Sequence, residues 1–320
     1  RYEILYKEHD IMNNKQSIGH LSALLTITIW GTTFISTKTL LLDFEPAEIL
    51  IIRFVIGFLA LFLACPHLLK ISDRKQELIF AAAGLCGVCL YYLLENIALT
   101  FTQAANISVI LSSAPFFTAI LSHIFLSSEE KLSKSFFIGF FIAMTGICLI
   151  SFSGAQLHLS PKGDLLAIAA AIVWAVYSIL TKKISSYGYN TIQTTRRTFG
   201  YGILFMLPVM AFFGFRFEPS RFADFTNIFN ILFLGLGASA LCFVTWNTAI
   251  KLLGTIRSSI YIYIVPIITV VMSVLILHER VTWASLLGTV LILTGLLFSS
   301  DLPIRRKCKK AVGEKAARKI

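Results

Sequence analysis

The chain has 320 residues, of which 56% are hydrophobic and 14% are charged. Soluble domains carry about 25% charged residues, so this composition excludes soluble domains and predicts an integral membrane protein. The formal net charge is +11, but eight of the lysines and arginines follow Pro303. That distribution is typical of basic residues on the cytoplasmic side of a membrane and argues against nucleic-acid binding.

Ten apolar runs are each long enough to cross a bilayer, which takes about 20 helical residues. They cover residues 19–40, 46–65, 77–99, 103–126, 134–153, 162–181, 193–214, 226–250, 254–277 and 281–300. Strands would leave backbone groups unpaired in lipid, so the runs are expected to be helices. The sequence therefore predicts an all-α integral membrane protein with ten transmembrane helices.

Loop charges predict the orientation of these helices. One set of alternate loops is rich in lysine and shares its side with Lys15 and the basic tail, whereas most loop acids lie in the other set. The chain is therefore expected to be a multi-pass protein of the inner (plasma) membrane, with both termini in the cytoplasm. Residues 1–18 are predicted to be a polar leader outside the fold, with Met12 a candidate natural start, and residues 301–320 a cytoplasmic tail.

The second half of the chain repeats the first. Matched pairs are Gly84–Gly235, Asn96–Asn247, Ala98–Ala249 and Pro115–Pro266 at one constant offset, and Trp30–Trp174 in the first and sixth helices. Such self-similarity indicates two copies of one unit, here residues 19–155 and 160–300. Because each unit holds five helices, an odd number, the second copy must enter the membrane inverted, a design that carriers use for alternating access.

Five stretches of the chain resemble the drug/metabolite transporter superfamily of the EamA type. They are WGTTF (30–34), EILIIRF (48–54), ENIALTFTQAANISVILSSAPFFTAIL (95–121), SEEKL (128–132) and LLGTVLILTGLLF (286–298). The resemblance implies two inverted five-helix bundles around a central cavity and the movement of small metabolites, often outward. The second copy departs from the Ala-Ala-Asn pattern, because Thr255-Ile-Arg257 stands there.

Polar residues within the apolar runs are candidates for substrate binding. Glu95 lies in the third run, where an ionised side chain usually faces a cavity or a partner. It either binds an ammonium group or a proton, or it is a paired carboxylate near the headgroups. Asn96, Asn247 and Asn106 could bind a substrate's polar groups or join helices.

Aromatic residues away from the ends of the runs are further candidates. Trp30, Trp174, Tyr177, Trp246 and Tyr261 suit apolar, aromatic or cationic substrates, although core packing explains them as well.

Several further residues are predicted to shape the helices and their packing. Pro115 and Pro266 are predicted to kink helices four and nine and are candidate hinges. Arg53 and Arg197 occupy matching places and are interpreted as structural, pairing with loop acids such as Glu48 or with lipid phosphate. Gly139, Gly146, Gly288 and Gly295 are expected to allow close helix contact.

These patterns favour a secondary transporter that exports amino acids or related small metabolites by alternating access. Proton coupling and facilitated diffusion both fit, and so does uptake of a metabolite or nucleotide-like substrate. An intramembrane enzyme is the alternative from another class, but HExxH and GxSxG motifs are absent. No metal or cofactor is expected, since Cys86 and Cys89 have metal-ligand spacing without further ligands nearby. The expected partners are a small-molecule substrate and the lipid bilayer, and the oligomeric state stays open.

Overall fold

The computed structural model describes residues 2–71, 73–101, 104–126, 134–152, 160–213, 218–268, 271–272 and 283–299. Within these ranges the chain forms helices joined by short turns, without any strand. The described residues of all ten predicted apolar runs are predominantly helical, so the all-α prediction is confirmed for the described part of the chain.

The helices are, in chain order, α1 Tyr2–Leu40, α2 Pro46–Ala64, α3 Arg74–Gly84, α4 Tyr91–Phe101, α5 Ala104–Leu111, α6 Ala114–Phe125, α7 Lys134–Phe152, α8 Pro161–Ser185, α9 Thr191–Phe213, α10 Phe225–Leu232, α11 Cys242–Leu253, α12 Thr255–Ser259 and α13 Trp283–Ser299. Two π-helical segments, Leu85–Leu90 and Phe233–Leu241, join α3 to α4 and α10 to α11. Short 3₁₀ helices cover Pro219–Ala223 and Ile260–Ile264. Helix α1 includes most of the expected leader.

Five helical stretches are long and apolar enough to cross a membrane. They are Asn14–Leu40, Pro46–Ala64, Arg74–Phe101, Pro161–Ser185 and Phe225–Leu253. Shorter apolar helices cover Ala114–Phe125, Lys134–Leu149, Thr255–Ile268 and Leu286–Ser299. These helices agree with a multi-pass membrane protein, while the count of ten spans and the orientation of the termini stay predictions.

Helices begin where the sequence supplies caps and prolines. Pro46 and Pro161 stand in the first turns of α2 and α8, where a missing N–H costs nothing. The Asp73 and Asp224 side chains each accept a hydrogen bond of 2.8 Å from the backbone N–H two residues later, which satisfies a free donor at the start of α3 and α10.

Helices from the two predicted repeats pack in corresponding pairs. α1 packs on α11, and its counterpart α8 packs on α3 and α4; α2 packs on α9, and α7 on α13. The α7–α13 pair is antiparallel, because Gly139 meets Gly295 while Gly146 meets Gly288. A Cβ atom on Gly139 would lie 2.5 Å from the Gly295 carbonyl oxygen, so the predicted close helix contact is confirmed.

The two π-helical segments occupy equivalent places in the repeats. Gly84 comes directly before the first segment and Gly235 lies inside the second. A Cβ on Gly84 would lie 2.6 Å from the Thr198 carbonyl oxygen, and one on Gly235 would lie 3.3 Å from that of Arg53. Each segment is therefore pressed closely against α9 or α2. Wide π turns of this kind recur at functional sites, and the sequence analysis did not predict them.

The two central prolines follow breaks in their helices, as predicted. α5 ends at Leu111, a turn holds Ser112 and Ser113, and α6 starts with Pro115 in its first turn. In the second repeat the 3₁₀ helix Ile260–Ile264 comes directly before the helical residues around Pro266. A discontinuous helix frees backbone groups near its break. Movement about these breaks stays a prediction.

Candidate functional site

A cavity of about 50 Å³ lies between helices of both predicted repeats. A buried water needs about 10–15 Å³, so a cavity of this size has room for a few waters. Its lining residues are Trp30, Thr33, Phe34, Tyr91, Tyr92, Glu95, Ser108, Leu111, Ser112, Ala114, Trp174, Ile262 and Val265. Apolar and aromatic walls with a few polar groups are typical of small-molecule sites.

Glu95 is the charged side chain on the wall of this cavity. It lies on α4 with 5% of its surface exposed, and the Tyr91 hydroxyl faces the same carboxylate. Glu95 therefore lies inside the helix bundle. An ionised carboxylate in the interior of a membrane protein costs about 2.5–3.5 kcal/mol on insertion scales, so a cationic partner would stabilise it.

Three tryptophans form one aromatic cluster at the cavity. The rings of Trp30 and Trp174 meet edge to face at 5.2 Å, and both line the cavity. Trp246 lies 5.3 Å from the Trp30 ring and is fully buried. Trp30 and Trp174 are therefore available to a bound solute, whereas Trp246 packs in the core, the alternative reading of the aromatic candidates.

Asn96, Asn247 and Tyr177 form hydrogen bonds between helices. The Asn96 side chain donates to the Pro46 carbonyl at 3.1 Å, which ties α4 to α2. Tyr177 donates to the Asn247 Oδ1 at 2.9 Å, and the Asn247 Nδ2 donates to the Thr195 hydroxyl at 3.0 Å. For Asn96 and Asn247 these bonds are those of the helix-joining alternative, and the buried Tyr177 packs in the core, the alternative given for the aromatic candidates.

A family model, the EamA-like transporter family, matches residues 17–152 and again residues 161–301. The chain belongs to this family. The expectation drawn from the five sequence stretches is thereby confirmed.

Relatives cover nearly the whole transporter. An "Uncharacterized transporter" of Archaeoglobus fulgidus is 27% identical over 295 residues, with 90% of this chain and 98% of the relative covered. The Bacillus subtilis "Uncharacterized transporter YvbV" is 28% identical over 295 residues, covering 91% and 94%. A "Probable terminal-alkyne amino-acid exporter" of Streptantibioticus cattleyicolor is 25% identical over 284 residues, covering 88% and 93%. All three relatives are named as transporters, in agreement with the family match.

A solved crystal structure of another protein has the same fold. It superposes with a TM-score of 0.70 at 19% sequence identity, covering 89% of this chain and 98% of the other. At this identity the likeness concerns the fold alone.

Arg53 of this transporter is buried next to the cavity, a position that the sequence analysis interpreted as structural. Its Nε donates to the Ser239 hydroxyl at 3.0 Å, and its guanidinium carbon lies 4.4 Å from the centre of the Tyr92 ring. The expected loop acid, Glu48, instead forms an ion pair of 2.9 Å with Arg221. The sequence did mark Arg53 as unusual, because a basic residue within an apolar run is costly in lipid. The sequence did not show in which direction the Arg53 side chain points.

Two candidate binding residues remain, Tyr261 and Asn106. The Tyr261 hydroxyl is 2.6 Å from Nδ1 of His20, so it joins the 3₁₀ helix to α1, while the neighbouring Ile262 lines the cavity. The side chain of Asn106 lies outside the described residues. Within the part of the chain that the structure describes, no group of three His, Cys, Asp or Glu side chains could hold a metal ion.

Proposed function

We propose that this transporter exports amino acids or related small metabolites that carry an amino group, through the central cavity. The observation that carries the proposal is the Glu95 carboxylate on a wall that also holds Trp30, Trp174 and Tyr91. A carboxylate attracts an ammonium group, and aromatic faces stabilise cations through their quadrupoles. The Streptantibioticus relative, a probable amino-acid exporter, supports the same solute class and direction.

The proposed topology has ten transmembrane helices in two inverted repeats, residues 19–155 and 160–300. It is supported by the two matches of one family model and by the antiparallel packing of α7 on α13. The lysine-rich loops and the basic tail support cytoplasmic termini and insertion in the inner membrane.

Contacts at both ends of the bundle support a mechanism of alternating access. At one end, the Ser122 and Thr255 hydroxyls lie 2.7 Å apart, and the Tyr261 hydroxyl lies 2.6 Å from Nδ1 of His20. These contacts join the two repeats, so opening the cavity on this side requires breaking them.

The opposite end carries its own set of contacts between the repeats. Arg221 pairs with Glu48 at 2.9 Å, and the Asn227 amide donates to Asp43 at 2.8 Å. In the proposed cycle the two sets open in turn, and the helix breaks before Pro115 and Pro266 absorb the movement. Carriers built from inverted repeats alternate in this way about a central site.

Transport into proteoliposomes tests the proposal. Purified protein is supplied with labelled amino acids, amines and nucleosides, and wild type is compared with Glu95→Gln and with the control Glu77→Gln. We expect the wild type to transport amino acids. Glu95→Gln should lower this transport at least about tenfold, because a charge-assisted hydrogen bond contributes about 1.5–3 kcal/mol. Glu77 pairs with Arg197 away from the cavity, so its variant should keep transport.

Two results of this assay would count against the proposal. Equal transport by wild type and Glu95→Gln would remove Glu95 from the site. Transport of nucleosides alone would replace the solute class. Repeating the assay with and without an imposed pH gradient distinguishes proton coupling from facilitated diffusion.

A further inference from the structure

The buried charges of the described residues fall into two groups. Four charged side chains are buried there: Glu48, Arg53, Glu95 and Arg196. Glu48 is paired with Arg221, and Arg196 donates to the backbone carbonyls of Cys65 and His67 at the end of α2. The remaining two, Arg53 and Glu95, lie in the interior beside the cavity, where charges are seldom retained without a use.

Arg53 lacks a full set of partners. Its Nε is bonded to Ser239, but its buried Nη2 has no hydrogen-bond partner among the described residues. Leaving a buried donor unsatisfied is costly, particularly on a charged group. Its guanidinium packs on the ring of Tyr92, and Tyr92 also contributes to the cavity wall. Its described contacts are this ring, the Phe54 ring at 5.3 Å and the Ser239 hydroxyl of the second π-helical segment.

Arg53 and Glu95 are electrostatically linked. Glu95 follows Tyr92 by three residues on α4, so the two side chains share one face of the helix. Arg53 packs on the ring of Tyr92, and Tyr92 and Glu95 both line the cavity, so the positive and negative charges interact in the same part of the interior. In a surrounding of low dielectric such an interaction is strong, so the two charges must be considered as one neutral set.

Because Arg53 and Glu95 together carry no net charge, they determine which net charge of a bound solute is favourable. An ammonium group against Glu95 uses the negative charge and leaves Arg53 uncompensated. A solute that also carries a carboxylate restores neutrality, whereas a simple amine leaves one excess positive charge and a simple acid one excess negative charge. Uncompensated charge in a buried site is strongly unfavourable.

Resting on the proposed transport function, we propose that Arg53 and Glu95 together select zwitterionic solutes. Arg53 determines specificity through its charge, although Tyr92 rather than Arg53 forms the cavity wall at this position. Removing either charge then inverts the preference in a direction that its sign dictates.

Binding of solutes matched in shape and different in charge tests this selection. Three series are measured by calorimetry on protein in nanodiscs: phenylalanine, phenethylamine and hydrocinnamate; leucine, isopentylamine and isocaproate; alanine, ethylamine and propanoate. In at least one series the wild type should bind the zwitterion at least about tenfold more tightly than the amine and the acid, a difference of about 1.4 kcal/mol. Arg53→Gln should shift the ratio of affinities towards the amine, and Glu95→Gln towards the acid, each by a similar factor.

The ion pair of Arg197 with Glu77 supplies matched controls. Arg197 is the counterpart of Arg53 and pairs with Glu77 at 2.7 Å in a half-exposed position. Arg197→Gln and Glu77→Gln change the net charge equally but should leave the charge preference unaltered. If Arg53→Gln does not fold, as judged by gel filtration and melting temperature, Glu95→Gln still gives a directional result.

Three outcomes would overturn the selection of zwitterions. In the first, no zwitterion in any series binds more tightly than its amine and acid. In the second, the variants weaken all three members of a series in equal proportion. In the third, the controls shift the preference as much as the variants. Any of these results alongside measurable flux in proteoliposomes leaves the transport function standing, whereas folded protein without flux of any solute contradicts the proposed function instead.

Discussion

The indole nitrogen of Trp30 donates a hydrogen bond of 3.0 Å to the carbonyl oxygen of Ala238. Ala238 lies in the π-helical segment Phe233–Leu241, so the bond ties α1 to the widened part of the second repeat. The counterpart of Trp30 is Trp174, which is buried and whose indole nitrogen has no partner among the residues that the structure describes. The two matched tryptophans of the cavity wall therefore differ in their hydrogen bonding.

This difference predicts unequal effects of removing the indole nitrogen. Trp30→Phe leaves the Ala238 carbonyl without its donor and should lower the free energy of unfolding by about 1–3 kcal/mol more than Trp174→Phe does. Both substitutions remove the same volume, so each is the control for the other. Thermal unfolding in detergent measures the difference. A larger loss of stability in Trp174→Phe would contradict the assignment.

Gly84→Ala should destabilise the contact between the first π-helical segment and α9. The new methyl group would lie 2.6 Å from the Thr198 carbonyl oxygen and 2.7 Å from the Gly202 backbone nitrogen, and backbone atoms cannot step aside cheaply. Overpacking of this kind costs about 1–3 kcal/mol. Gly237→Ala is the matched control, because its nearest neighbour is a side-chain atom at 3.6 Å. Melting temperatures of the two variants that fall equally would argue against the close contact.

Tyr177→Phe distinguishes a helix-joining role from a binding role. The hydroxyl bonds to Asn247 at 2.9 Å, and the Tyr177 side chain is buried. We expect a loss of about 0.5–1.5 kcal/mol in stability, with transport per folded molecule retained. Stability is measured by thermal unfolding and transport in proteoliposomes. Unchanged stability with reduced transport would return Tyr177 to the substrate site.

Replacing both Pro115 and Pro266 with alanine tests the helix breaks as hinges. Each proline stands at the start of a new helical segment, and alanine lets the chain close a regular helix across the break. Transport per molecule should fall more than the yield of inserted protein does. Protein recovered from membranes is compared with flux in proteoliposomes, and each single variant serves as a control. Wild-type flux in the double variant would end the hinge hypothesis.

Much of the fold was predictable because it depends on local composition and on repetition. The apolar runs mark helices wherever backbone groups must be satisfied internally, and the described helices match their places except at the start of α1, which begins at Tyr2 rather than near residue 19. The constant offset between Pro115 and Pro266 predicted matching breaks. The π-helical segments were missed, since a wide turn depends on how closely Gly84 and Gly235 approach another helix, and that distance has no signature within the segment itself.

The candidate site was likewise predictable from the sequence only in part. An isolated acid in an apolar run, Glu95, was a visible signal because lipid penalises charge regardless of the fold. Asn96 and Asn247 were equally visible, but an amide that joins helices looks the same in sequence as one that meets a solute. Arg53 was assigned to loop acids, whereas it packs on Tyr92. The direction of a side chain depends on the rotation of its helix against neighbours.

The sequence by itself determined that this protein is helical, built for a membrane, and made of two related halves, because hydropathy and repetition are properties of the chain alone. Only the tertiary structure decided which polar residues meet. It placed Glu95, Trp30 and Trp174 around one cavity, set Arg53 beside it, and left Tyr261 and Asn247 in contacts between helices. Those placements depend on distances between segments far apart in the chain, which close packing sets collectively.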